Sequence, residues 1–153
     1  MHVGIAVNPV AGMGGRVGLK GTDGKVAEAV ERGAEPRAPD RARRMVDRLA
    51  AVAPEAAVSV AADPMGESIV REAGFDPVRV VDPFGGEPSE SAAAPDPTET
   101  TAEHTAAVVR AFAGLDGSGA APAGGATDGD PVDLVLFVGG DGTAADVAAA
   151  LEG

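Results

Sequence analysis

An α/β fold, with a parallel sheet of at least four strands and helices on both faces, is what this 153-residue sequence predicts. Three observations carry the prediction. Short apolar runs of strand length alternate with longer amphipathic or alanine-rich stretches, an order that yields parallel strands joined by helical crossovers. Glycine-rich turns follow the first and the last of those runs. The length suits one domain with a core of its own.

The first run, "HVGIAV" (His2 to Val7), is stopped by Asn8-Pro9 and reads as a buried strand, because a helix needs more length and dislikes that ending. A long loop, "NPVAGMGGRVGLKGTDG", follows from Asn8 to Gly24. Asp40 offers an N-cap for the clearest amphipathic helix. Its apolar face carries Ala42, Met45, Val46, Leu49, Ala50 and Ala53, with Arg41, Arg43, Arg44, Asp47 and Arg48 opposite. "AAVSVAA" (Ala56 to Ala62) predicts the second strand. Asp63-Pro64 then supplies a cap and a first-turn proline for a short helix ending near Gly74.

"PVRVVD" predicts a third strand ending at Asp82. Residues 83–98 are rich in proline, serine and acids and predict a flexible insert, and residues 114–131 a low-complexity linker. Between them a helix begins near Thr98, with Ala102, Ala106, Val109 and Ala113 on one stripe and Val108 and Phe112 beside it. Val132 to Val138 is an uninterrupted fourth strand with the composition of one covered on both faces, which makes Phe137 a core residue. Phe84, at a strand end, is the ring expected nearest a ligand.

Charge and composition remove several classes of function. A net charge of −12 argues against general nucleic-acid binding, which needs an excess of Lys and Arg to neutralise phosphates. The dispersed acids suit a salt-adapted, halophilic surface; an ordinary acidic protein is the other reading. No cysteine is present, which excludes disulfides, thiolate metal sites and thiol nucleophiles. His2 and His104 have no cluster at metal spacing around them. No stretch approaches the ~18 apolar residues of a membrane span and no leader opens the sequence, so a soluble cytoplasmic protein with no membrane partner is expected.

The chemistry concentrates in the two glycine loops. Gly139 and Gly140 remove side chains where the chain leaves the fourth strand, so backbone N–H groups can approach an anion. Thr143 adds a hydroxyl at the start of a helix whose dipole favours phosphate. Asp141 has three readings: it holds Mg2+, it takes the proton of an attacking hydroxyl, or it caps the final helix. Arg16, Lys20 and Lys25 gather positive charge in the first loop as candidate phosphate contacts; the competing reading is a plain surface loop. Neither standard nucleotide fingerprint is complete, since Val26 follows Lys25 and Val17 replaces a third glycine. Both loops leave the carboxyl ends of strands, and chain topology can place them side by side across one crevice.

Together "NPVAGMGGRVGLKGTDG" and "FVGGDGT" resemble the NAD kinase and diacylglycerol kinase superfamily, most closely its ATP-NAD kinase (AcoX-like) branch. "MGE" (Met65 to Glu67) and "TTAEHT" (Thr100 to Thr105) are similar to segments of that branch. The resemblance implies a Rossmann-like nucleotide-binding fold and a kinase of NADP biosynthesis. Such an enzyme transfers a phosphoryl group from ATP or polyphosphate, with Mg2+, to a small hydroxyl-bearing substrate, first of all the adenosine 2'-hydroxyl of NAD. It implies Asp141 as the catalytic residue, Gly139, Gly140, Gly142 and Thr143 as the nucleotide-phosphate turn, and Asn8 and Gly12 as the first nucleotide-binding loop. The sequence departs from the branch at His104, where an acid is expected, and at Ala145, where arginine is expected. The resemblance also implies a β-rich second domain. The chain is therefore expected to be the N-terminal α/β domain, with little activity alone, in a homo-oligomer or beside a chain supplying that domain. The competing expectation is a non-catalytic nucleotide-binding or assembly module.

Overall fold

Among the described residues four strands form one sheet: β1 (His2–Val7), β2 (Ala57–Ala61), β3 (Arg79–Val81) and β4 (Leu134–Val138). The structure, a computed structural model, describes residues 1–13, 26–33, 35–85, 95–115 and 130–152. The strand order is β3-β2-β1-β4 and every pairing is parallel. This is the predicted Rossmann-like α/β architecture. Its helices are α1 (Val26–Glu31), α2 (Ala38–Val52), α3 (Glu67–Glu72), α4 (Ala102–Phe112) and α5 (Asp141–Glu152).

The central strand β1 shows why the layers form. Successive side chains point to opposite faces, so Val3, Ile5 and Val7 share one face and Ala6 lies on the other. The first set is buried with Ala38, Ala42 and Val46 of α2 and with Ile69 and Val70 of α3. On the other face Ala6 packs with Met65 and with Val108 and Phe112 of α4. Gly4 is what lets Phe112 in: a Cβ there would lie 2.6 Å from the Phe112 ring. Phe112 is fully buried, and burial of such a ring stabilises by roughly 1.5–3 kcal/mol.

β4 departs from its expected role. It forms the edge of the sheet, and Leu134 and Phe137 are 45% and 36% exposed. The core aromatics are Phe75 and Phe112, not Phe137. Composition alone does not separate an edge strand from a central one, because both need β-branched and large apolar residues on the covered side.

The helix starts also differ from expectation. α2 begins at Ala38 with Pro39 in its first turn, whose fixed φ suits that position. Asp40 is therefore not the cap, and it pairs instead with Arg43 at 3.1 Å on the surface. α3 begins at Glu67 rather than beside Pro64, because Met65 turns into the core and its carbonyl accepts the Val7 N–H at 2.9 Å. Gly66 makes that turn with φ of 131°, where a side chain would be strained. The Asp63 carboxylate still caps α3, accepting the Ser68 N–H at 3.0 Å.

Of the predicted insert and linker, residues 83–85, 95–98, 114–115 and 130–131 are described. Residues 86–94 and 116–129 lie outside the described residues. Asp96 accepts from the Thr98 N–H and hydroxyl and opens a 3-10 turn, Pro97–Glu99, so the helix expected from Thr98 starts only at Ala102. Those two hydrogen bonds hold the Asp96 carboxyl below its ordinary pKa. Beyond α4, the Leu115 N–H donates to the Arg110 carbonyl and the Val132 N–H to the Phe112 carbonyl, which brings both sides of the linker to the end of α4. The buried stripe of α4 runs through Thr105, Val108, Val109, Ala111 and Phe112, while Ala102 is exposed.

Candidate functional site

The strand order reverses between β1 and β4, since the chain builds outward to β3 and returns through α4 to the far side of β1. Loops leaving two such strands diverge, and ligands of open α/β sheets bind in the gap. Asn8 and Gly139 are the first residues beyond these strands.

Asn8 joins the two loops. Its backbone N–H donates to the Val138 carbonyl at 2.9 Å, and its side-chain amide donates to the Thr143 hydroxyl at 3.1 Å across 135 positions of sequence. Its side-chain oxygen accepts the Val10 N–H at 3.2 Å. Every arm of Asn8 is thus engaged with protein, so it positions both loops rather than presenting a free amide. Gly12 follows with φ of 76° and open space around it, a conformation that glycine adopts without cost.

The three glycines of the last loop have different geometries. A Cβ at Gly139 would lie 2.3 Å from Cβ of Thr143, so this glycine lets α5 start hard against the strand. At Gly140 nothing among the described residues lies within 4 Å of such a Cβ, and its φ is not positive. Gly142 is exposed in the first turn of α5. The Ala144 N–H to Gly140 carbonyl bond, 3.0 Å, closes that turn. The N–H groups of Asp141, Gly142 and Thr143 precede it, and by position they have no acceptor inside the helix. Three donors and the positive end of the α5 dipole converge on the loop beside an open Gly140.

Asp141 is the first residue of α5 and exposed. Among the described residues its carboxylate has no hydrogen-bond or ion-pair partner, so it does not cap the helix through its side chain. Arg16, Lys20 and Lys25 lie outside the described residues. No group of three acidic or histidine side chains able to hold a metal ion occurs among the described residues.

α4 and α5 lie side by side, with Val109 buried against Val147 and Ala150. Both begin at the carboxyl edge of the sheet, so they run parallel. The start of α4 carries a full capping box: Thr101 Oγ1 accepts the His104 N–H, and His104 Nδ1 accepts the Thr101 N–H at 3.2 Å. His104 therefore performs the hydrogen bond that an acid makes at this position. Its ring meets Phe84 edge-on with centroids 4.6 Å apart, which places the ring expected near a ligand against this helix start.

Sequence reasoning missed Thr100 and Thr105. Both are buried, and neither hydroxyl has a hydrogen-bond partner among the described residues. The available signal was their place on either side of a capping box, at the two positions that normally hold an apolar pair. His2, by contrast, lies at the opposite edge of the sheet, its Nε2 2.7 Å from Ser59 Oγ. No helix among the described residues is long and apolar enough to cross a membrane. No protein-family model, curated protein or solved structure matches the chain.

Proposed function

We propose that the chain binds the phosphates of a nucleotide between the loops after β1 and β4, as the α/β domain of an NAD kinase-like phosphotransferase. The donor is ATP or polyphosphate and the acceptor a hydroxyl, that of NAD in the first instance. The observation that carries this reading is the Asn8 to Thr143 hydrogen bond, which ties the two glycine loops together where the strand order reverses. Three unengaged N–H groups and an open glycine beside that bond make a short anion cradle.

Asp141 stands at the edge of the cradle without a partner among the described residues. A free carboxylate there has two uses in phosphoryl transfer. It takes the proton of the acceptor hydroxyl as that oxygen attacks the terminal phosphorus and the leaving phosphate oxygen keeps the bonding pair. Alternatively it holds Mg2+, which needs only one or two carboxylates beside phosphate oxygens and water. Mg2+, when bound, neutralises charge between the phosphates. A cytoplasmic, salt-adapted protein goes with the same reading.

The test is ATP titration by calorimetry, together with NADP formation from NAD, ATP and Mg2+. Gly140→Val leaves the fold intact, because its side chain enters open space, and weakens ATP binding at least about tenfold, roughly the loss of one hydrogen bond to a charged group. With the β-rich second domain supplied, Asp141→Asn keeps ATP binding and removes NADP formation. Unchanged ATP affinity in Gly140→Val overturns the phosphate site. Binding without any NADP formation even with that domain supplied leaves a nucleotide-binding module.

A further inference from the structure

The two edges of the sheet are finished differently. β3, at one edge, has three residues and begins with Arg79, whose guanidinium donates to the Ala111 carbonyl at 3.0 Å. A short strand that carries a charge discourages pairing at an exposed edge. β4, at the other edge, has five residues and neither a charge nor a proline among them. Leu136 and Val138 pack on the α2 side and Val135 on the α4 side, so by alternation Leu134 belongs to the first face and Phe137 to the second. Both are open at the rim, 45% and 36% exposed. A strand with the composition of a central one, and with apolar side chains open on both faces, is shaped for a neighbour on each side. Among the described residues only β1 pairs with it.

The helices fix the direction in which the sheet extends. From β1 the chain crosses to β2 through α2, on the face of Val3, Ile5 and Val7; from β3 it crosses back to β4 through α4, on the face of Ala6. Opposite directions on opposite faces are what right-handed crossovers require. α5 packs beside α4 and so lies on the Ala6 face, where a right-handed crossover leads outward, past β4. Its 12 residues span about 18 Å, enough to run from the carboxyl edge back to the amino edge, where a strand parallel to β4 begins. We infer that the outer edge of β4 takes a fifth strand, apolar and parallel to β4, from polypeptide outside these 153 residues. A second copy of the chain fits less well. Closing a dimer edge to edge would set β4 against β4 in antiparallel order, and would bring together two chains of net charge −12. The fifth strand supplies backbone partners for the edge, and its alternate side chains cover Leu134 on one face and Phe137 on the other. This pairing does not depend on the phosphate reading of the neighbouring loop.

The experiment adds a short peptide of valine and isoleucine, with a lysine at each end, to the whole chain and follows backbone amides by two-dimensional NMR. The amides of Leu134 to Val138 are expected to shift and to exchange at least about tenfold more slowly. A nitroxide on the N-terminus of the peptide should broaden Leu134 and spare Val138, the parallel order; the reverse pattern overturns the proposal, and this measurement needs no substitution. Leu134→Lys and Phe137→Lys each put a charge on one rim and should weaken peptide binding about tenfold or more. Val80→Lys on β3, where the valine is 38% exposed, should leave binding unchanged. A peptide that shifts β3 in place of β4, that binds both β4 variants as tightly as the unaltered chain, or that shifts nothing overturns the fifth strand. Light scattering tests the second copy. A monomer is expected, and a dimer that Leu134→Lys dissociates assigns the edge to a second copy and overturns the proposal.

Discussion

α4 and α5 start side by side on the same edge of the sheet, yet their first turns are built in opposite ways. α4 closes its own donors: a 3-10 turn leads into a reciprocal box between Thr101 and His104. α5 has two glycines before it and an aspartate that bonds to nothing among the described residues. A helix end that satisfies its N–H groups internally is finished as structure. One that leaves them open beside a residue without a side chain presents donors that water or an anion can meet.

The largest effect that would break this comparison comes from the glycine that seats α5. Gly139→Ala forces a methyl group into Thr143, and relief requires the helix to move off the strand, so a loss of about 2–3 kcal/mol is expected in urea unfolding. Gly140→Ala, one residue on, meets open space and should change stability by no more than about 0.5 kcal/mol. Equal losses at the two positions would remove the division of labour between them.

A smaller effect separates the caps. Thr101→Ala removes an acceptor for the His104 N–H and should cost about 1 kcal/mol. Asp141→Ala breaks no hydrogen bond among the described residues and loses only a charge at the favourable end of a dipole, about 0.3–0.5 kcal/mol. If Asp141→Ala proved the more costly, the open reading of α5 would fail.

The smallest effect is a pH dependence at the approach to α4. The Asp96 carboxyl is held low by the Thr98 hydroxyl and N–H, so its folded pKa lies below its unfolded one. Its contribution to stability is present above the unfolded carboxylate pKa and is lost as pH falls through the folded value. Asp96→Ala should therefore lower Tm slightly at neutral pH and leave it unaltered at strongly acidic pH, a difference that thermal melts across the acid range would resolve.

Much of this architecture was legible in the residues, and the failures share a cause. "HVGIAV" and "VDLVLFV" announce strands through their β-branched and apolar residues, and helices between strands dictate parallel pairing. The meeting of Asn8 with the last loop follows from topology. What stayed hidden depends on how elements seat against one another. Gly139 and Gly140 look alike in sequence, and only the angle at which α5 leaves β4 decides which one faces Thr143. Thr105 is polar yet buried, because its side of α4 packs on the core. The exposed ring of Phe137 reflects the position of β4 at an edge, a property of strand order and not of composition.

The pairing of β1 with β4 also sets an order of events during synthesis. Val3 meets Leu134 and Asn8 meets Thr143 only after more than a hundred intervening residues have been made, whereas β1 can pair with β2 as soon as Ala57 to Ala61 have left the ribosome. Contacts this distant in sequence form late, because closing so long a loop must precede any gain from it. Until then one edge of β1 stands open, and the gap between the two glycine loops does not yet exist. A nascent chain can hold most of its core and still lack the contact between the two loops, so binding at the proposed nucleotide site reports on the last folding step.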